Sequence, residues 1–355
     1  MMRILFLADH LGGGGAPVSI LSLAKALSAR GFAITIVSLQ DKVWREVPSD
    51  VDIHVVSFQP RGPWQKLRRY HLHARLLDQW FRDQPGEFDL VVANLHYTHQ
   101  VVTRSSLAER AWLCMRTDPS ALLEGHRYNH RLRQLIRLYN GRRVIALSRG
   151  ILNFLAAKGV ALRDSVVIHN IIDANYIQTM MQESVGYEDY IVFVGRLEKR
   201  QKRYDRLLRA YINSGISQDL VVVGDGEINE ARKLADDFGI TERVHFVGEK
   251  SNPYAYMHHA RLLVLSSDSE GFGRVIVESL VCGTPVVSTD CPSGPREILK
   301  GELSDCLVPL DEGELLGKKI KEMIANPPTI RAEHYAPFSA EVVTAEYLRL
   351  MEITS

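Results

Sequence analysis

The sequence predicts an α/β protein built from two Rossmann-like domains, each a parallel sheet wound with helices on both faces. Three observations predict it. The chain has 355 residues, enough for two separate cores. Short apolar runs alternate with amphipathic stretches along its length, as strand–helix units do. Glycine-rich and charged segments follow the apolar runs directly, where open parallel sheets bind ligands. With 46% hydrophobic and 24% charged residues, the composition is that of an ordinary globular protein.

Strands of the first domain, residues 1–183, are predicted at 3–8, 33–39, 52–57, 90–93, 112–115, 143–146 and 165–168, with helices notably at 17–29 and 64–82. The second domain, residues 184–335, has predicted strands at 190–194, 220–223, 244–247, 262–265, 285–288 and 306–308. The polar segment 182–189 marks the boundary. A helix at 340–351, within the remaining 336–355, can join either domain on pattern alone. The opening apolar run is too short for a leader or a membrane span and reads as a first buried strand. The protein is therefore expected to be soluble and cytoplasmic. Cys114, Cys282, Cys291 and Cys306 lack metal-ligand spacing and sit mostly in apolar surroundings, so reduced buried thiols are expected.

The net charge of +1 conceals an asymmetry: residues 1–183 carry 23 basic and 15 acidic side chains, the remainder 20 and 27. Basic residues cluster at Arg61, Lys66, Arg68, Arg69 and Arg75, and again from Arg127 to Arg143. Such clusters suit phospholipid headgroups or a phosphate-bearing acceptor, though solvated helix faces have the same composition. Without a nucleic-acid module or interleaved aromatics, nucleic acid is not an expected partner.

The nonamer EGFGRVIVE carries most of the chemistry. Glu270 falls in a strand-to-helix loop, and Glu278 is expected about two turns into the following helix. Carboxylates there accept hydrogen bonds from sugar hydroxyls, and Gly271 and Gly273 bare backbone N–H groups to an anion at a helix start. One such glutamate pair is usually just a solvated helix, so its context carries the weight. After the first strand, Gly12-Gly13-Gly14-Gly15-Ala16-Pro17 makes an anion cradle with proline at the expected first helical position; as a dinucleotide fingerprint it is a weak match. After residues 190–194, Arg196 is placed to clamp a diphosphate and Lys202 to add a point charge. Gly224 and Gly226 form a tight loop against the same cleft, and Gly248 and Lys250 lie where a nucleobase can meet backbone groups.

Together with GGGGAPVSILSLAKAL, VGRLEKRQKRYDRLL, VVVGDGE, VHFVG, the block SSDSEGFGRVIVESLVCGTPVVSTD and SGPREIL, the chain resembles the retaining GT-B glycosyltransferases of family 4, nearly end to end. The resemblance implies two Rossmann-like domains facing a central cleft, with the donor nucleotide-sugar on the second domain, the acceptor on the first, and the last helix crossing back to the first. It implies that Arg196 and Lys202 hold the donor diphosphate and that Glu270 meets the sugar. Gly271, Phe272 and Gly273 would offer backbone groups, Glu278 would take the ribose hydroxyls, and the loop with Gly14 and Gly15 would close over the phosphate. Two departures stand out. One residue more than in the commoner pattern separates Leu197 from Lys202. Arg116 and Asp118 stand where many members have a histidine near the donor sugar.

The implied activity is metal-independent hexosyl transfer, with retention, from a UDP-sugar to a glycan or lipid-linked acceptor in bacterial surface-polysaccharide or lipopolysaccharide synthesis. No metal or other cofactor is expected, and the basic first domain is expected to touch the inner face of the cytoplasmic membrane. A sugar-nucleotide epimerase or phosphorylase of the same fold, or a non-catalytic sugar-nucleotide binder, is the alternative.

Overall fold

The computed structural model describes residues 1–12, 14–42 and 48–354. It divides into two compact units, Met1–Ile171 with Ala340–Ser355, and Ile172–Ser339. In the first, strands β1 (Arg3–Ala8), β2 (Ala33–Ser38), β3 (Val51–Val55), β4 (Leu90–Asn94), β5 (Trp112–Met115), β6 (Arg143–Ala146) and β7 (Asp164–Val167) form one sheet in the order β3-β2-β1-β4-β5-β6-β7. The second unit contains β8 (Tyr190–Val194), β9 (Asp219–Val223), β10 (Val244–Gly248), β11 (Leu262–Leu265), β12 (Val286–Thr289) and β13 (Leu307–Val308), ordered β10-β9-β8-β11-β12-β13. Every pairing in both sheets is parallel. Strand order reverses at β1 in one unit and at β8 in the other, so each has a switch point at the carboxyl end of its first strand.

Helices cover both faces of these sheets, which explains why strands such as Ile4-Leu5-Phe6-Leu7 are apolar without alternation and fully buried. The predicted helix over 64–82 is two helices, Pro63–Leu67 and Arg69–Arg82, parted at Arg68 with φ −100° and ψ 13°. Nothing in the side-chain periodicity marks that break. Pro17 is the third residue of the helix Gly15–Ser28 rather than the first. A proline is tolerated there because N–H groups of a first helical turn have no intrahelical partner. Gly13 of the glycine run lies outside the described residues.

The chain passes between units earlier than the polar segment 182–189. The helix Ala174–Met180 packs on the helices Pro253–His258 and Arg274–Val281, and Asn252 Nδ2 donates to the Met180 carbonyl at 2.8 Å. The final helix, Ala340–Thr354, packs in the first unit against the helix Gly15–Ser28 and β4. Its buried Tyr347 meets Phe6 edge-on at 6.4 Å. All four cysteines are buried free thiols. Burial pushes Cys282 up to about 12 and Cys306 up to about 11. Among the described residues no helix is long and apolar enough to cross a membrane.

Candidate functional site

In the second unit, four loops at the carboxyl ends of its strands are stitched to one another. Leu197 N donates to Asp225 O at 2.8 Å and Glu227 N to Leu197 O at 2.8 Å, tying the loop after β8 to the loop after β9. Glycine is required for this approach: a Cβ at Gly224 would stand 1.9 Å from the Gly195 carbonyl oxygen, and one at Gly226 2.3 Å from that of Leu197. The loop after β8 is held to the loop after β11 by Asp268 N to Gln201 O at 2.8 Å, Gln201 Nε2 to Ser269 O at 3.0 Å, and Ser266 Oγ to Lys202 O at 2.8 Å. Ser293, in the loop after β12, donates through Oγ to the backbone carbonyl of Glu270. A Cβ at Gly294 would stand 2.3 Å from the Phe272 carbonyl oxygen.

This frame sets the carboxylates. Glu270 Oε1 receives Lys202 Nζ at 2.6 Å and Ser267 Oγ at 2.6 Å, and the residue is 7% exposed. Glu278 is the fifth residue of the helix Arg274–Val281, one turn in rather than two, because that helix starts only after Gly273. Its Oε1 receives Arg274 Nε at 2.6 Å. Burial works against the Arg274 guanidinium, but Glu278 and then Tyr254 outweigh it and hold it above its usual pKa. Gly273, at φ +87°, caps the same helix in a conformation that favours glycine, and Phe272 is buried with its ring edge-on to Phe338 at 5.3 Å. Arg196 is exposed, with no ion pair among the described residues, and Lys250 is also exposed. Each carboxylate is thus fixed by a cation on one oxygen and keeps lone pairs for hydroxyl donors.

The first unit gathers a different set at its own strand ends. Asp9, just after β1, accepts Thr98 N at 2.7 Å and Thr98 Oγ1 at 2.5 Å, at the start of the helix His96–Val102. Burial raises the Asp9 pKa despite these bonds. His10 Nδ1 lies 3.1 Å from Gly12 N and accepts its N–H, leaving the ring proton on Nε2. Arg116 is buried; its Nε donates to Asn94 Oδ1 and its Nη1 to Asn170 Oδ1, both at 2.8 Å, while Nη2 is buried without a hydrogen-bond partner among the described residues. Asp118 is buried too, and its Oδ1 accepts Ser120 N at 2.7 Å. Gly14 has φ +100°, and open space surrounds both Gly14 and Gly15 where a Cβ would go.

Two elements bear on metal binding. Asp50-Val51-Asp52 is an Asp-x-Asp run that the sequence reading passed over. Asp50 receives Ser28 Oγ at 2.5 Å and Asp52 meets His54 at 2.8 Å, at the amino end of β3 and away from the strand ends that carry ligands. Among the described residues one group has metal-ligand proximity, Glu302, Glu333 and His334, and there Glu302 already accepts from Arg331 and His334.

Two family models match the chain, one per unit: Glycosyltransferase Family 4 over residues 13–176 and Glycosyl transferases group 1 over residues 181–339. The chain belongs to the family 4 glycosyltransferases. Its relatives include the Campylobacter jejuni N-acetylgalactosamine-N,N'-diacetylbacillosaminyl-diphospho-undecaprenol 4-alpha-N-acetylgalactosaminyltransferase, 28% identical over 91% of this chain and 90% of the relative. The Salmonella typhimurium lipopolysaccharide 1,6-galactosyltransferase is 30% identical over 45% of this chain and 46% of the relative. Among solved structures, Anabaena HepE in complex with UDP superposes with a TM-score of 0.77 at 21% identity, over 99% of this chain and 100% of that one. The glycosyltransferase therefore has the GT-B fold, as the sequence predicts.

Within the second unit of this glycosyltransferase, Arg196, Lys202, Gly224, Glu270, Gly271, Phe272, Gly273 and Glu278 lie on the stitched loops or the helix they open. Gly248 is joined to them through Gly224 N, which donates to its carbonyl at 2.9 Å. Gly14, Gly15, Arg116 and Asp118 belong to the first unit. Sequence reasoning missed Arg274, Ser267 and Ser293. The spacing of Arg274 and Glu278, four apart in one helix, was a usable signal. No comparable signal marks Ser293.

Proposed function

We propose that the enzyme transfers a hexose, with retention at the anomeric carbon and without a metal, from a UDP-sugar to a lipid-linked acceptor in bacterial surface-polysaccharide synthesis. The observation that carries this reading is the pair of buried glutamates, each fixed by its own cation on a shared loop frame. Names of the relatives support the acceptor class, and the UDP complex of HepE supports the nucleotide. In this reading the second unit takes the donor. Glu278 accepts the ribose hydroxyls, Glu270 a sugar hydroxyl, and the amides of Gly271, Phe272 and Gly273 face the sugar-phosphate. The backbone beside Gly248 and Lys250 receives the base.

As the anomeric C–O bond to phosphate breaks, charge builds on the diphosphate. Arg196 and Lys202 stabilise that charge more than they stabilise the ground state. The acceptor oxygen attacks from the same face, forms the new C–O bond and passes its proton to the departing phosphate oxygen. No protein nucleophile is consumed. In the first unit, Gly14 and Gly15 approach the phosphate, Arg116 or Asp118 takes the place near the donor sugar that a histidine fills in many members of the family, and the basic surface meets the inner face of the cytoplasmic membrane. A panel of nucleotide sugars tests the donor: slow hydrolysis of one UDP-sugar is expected, and NMR of the transferred product should give the donor's anomeric configuration. Inversion, or no turnover with any UDP-sugar, would refute the reading.

A further inference from the structure

We propose that the enzyme docks on an anionic lipid bilayer through one face of its first unit, with Trp64 and Leu67 entering the boundary between headgroups and acyl chains. The inference rests on the membrane reading above and assigns it a wedge. The helix Pro63–Leu67 buries none of its residues. Trp64 is 58% exposed and Leu67 84% exposed; three apart, they share one side of a helical turn. Two large apolar side chains held together in water at a helix tip suit the amphipathic boundary of a bilayer, where tryptophan is favoured.

Charge around the wedge complements such a surface. No acidic residue occurs between Asp52 and Asp78, while Arg61, Lys66, Arg68, Arg69 and Arg75 do. The Arg68 guanidinium lies 5.1 Å from the centre of the Trp64 ring. The ring of Tyr70 has Arg69 at 4.5 Å and Arg104 at 5.4 Å, so the turn after the helix His96–Val102 adds its arginine to this face. His71 is held below its usual pKa, first by desolvation and then by Arg104, Arg68, Arg75 and Arg137. Arg137 comes from the helix Tyr128–Tyr139, so both basic clusters reach the same neighbourhood. A soluble polyanion would use the arginines and leave the wedge idle; a bilayer uses both.

The test compares wild type with a Trp64→Ser/Leu67→Ser double variant. Neither side chain is buried, so thermal stability should match. Cosedimentation uses phosphatidylcholine vesicles with and without phosphatidylglycerol. Wild type should bind the anionic vesicles, and the double variant should bind them about tenfold or more weakly. Brominated acyl chains should quench wild-type tryptophan fluorescence, and W64F should lose that quenching. Equal binding by the double variant, or wild-type binding without quenching, would overturn the wedge and leave the membrane reading standing. No binding by wild type to either vesicle would overturn both. Hydrolysis of the sugar nucleotide in the absence of lipid should be unchanged in the double variant, so failure of the transferase reading is seen separately.

Discussion

The glycines of the two units do opposite work. In the second unit Gly224, Gly226 and Gly294 exist so that one loop backbone can lie against another; a Cβ at any of them would meet a carbonyl oxygen at 2.3 Å or less. In the first unit Gly14 and Gly15 face open space. One set of loops is therefore fixed before any ligand arrives, with both carboxylates already paired, and the other keeps bare backbone and room beside it. Preorganisation of this kind belongs where charge must be stabilised without reorganisation at the moment of reaction. Room belongs where a ligand of variable shape must be admitted.

The largest effect should come from breaking the preset pairing. Glu278→Ala takes its carboxylate partner from the part-buried Arg274, which costs up to about 3 kcal/mol of stability. It also removes an acceptor of the ribose, weakening UDP by roughly 1–3 kcal/mol. Denaturant unfolding and calorimetry with UDP check both, and unchanged affinity would remove Glu278 from the site. Arg196→Ala should lower turnover by about 10²–10³ while leaving the melting temperature alone, since the side chain is exposed. Near-normal turnover on a verified donor would reject the clamp.

The glycine contrast is tested directly by Gly224→Ala against Gly15→Ala. The first should cost about 3 kcal/mol, from overlap with the Gly195 carbonyl and a φ of +148°. The second should change stability by no more than about 0.5 kcal/mol. Similar losses in both would erase the distinction.

Acid should separate the units more gently. His73, His96 and His99, all in the first unit, are held below their usual pKa chiefly by burial, His99 at about 3. Below about pH 6.5 the unfolded chain takes up protons that the folded unit refuses, so their stability contribution, intact above that pH, is lost as pH falls towards 3. Each excluded proton costs about 1.4 kcal/mol per pH unit; Asp9, raised by burial, acts in the opposite sense at the low end. In the second unit Asp205 is desolvated, yet Arg203 outweighs that and lowers its pKa, so its contribution is lost only below about 3.8. No tryptophan occurs in residues 172–339, the second unit. Tryptophan fluorescence should therefore report unfolding between pH 6 and about 4 that backbone signals from the second unit lag behind. The smallest expected effect is none: EDTA should leave turnover intact, and loss restored by magnesium would sink the metal-free mechanism.

Most of the fold was legible because its central strands are buried on both faces and read as uninterrupted apolar runs. β1, β5, β6, β8 and β11 begin and end where those runs do. Glu270 and Glu278 were legible from a motif within nine residues, and Arg196 from its place directly after a strand. What could not be read is what the fold brings together across distance. Lys202 and Glu270 are 68 residues apart, and Arg116 finds partners 22 and 54 residues away. The Pro63–Leu67 break was hidden for another reason. It exposes apolar side chains, and periodicity assigns apolar residues to a buried stripe.

The return of the helix Ala340–Thr354 to the first unit has a consequence for synthesis. The second unit is one continuous stretch of chain, whereas the first is interrupted and lacks the helix bearing Tyr347 and Leu350 until residues beyond 340 are made. Domains ordinarily mature in the order of translation, at roughly 5–20 residues per second. Here the order is inverted. The earlier sheet waits roughly ten to thirty seconds while residues 172–339 emerge, with the seat of Tyr347 beside Phe6 unfilled, and the later sheet can finish first.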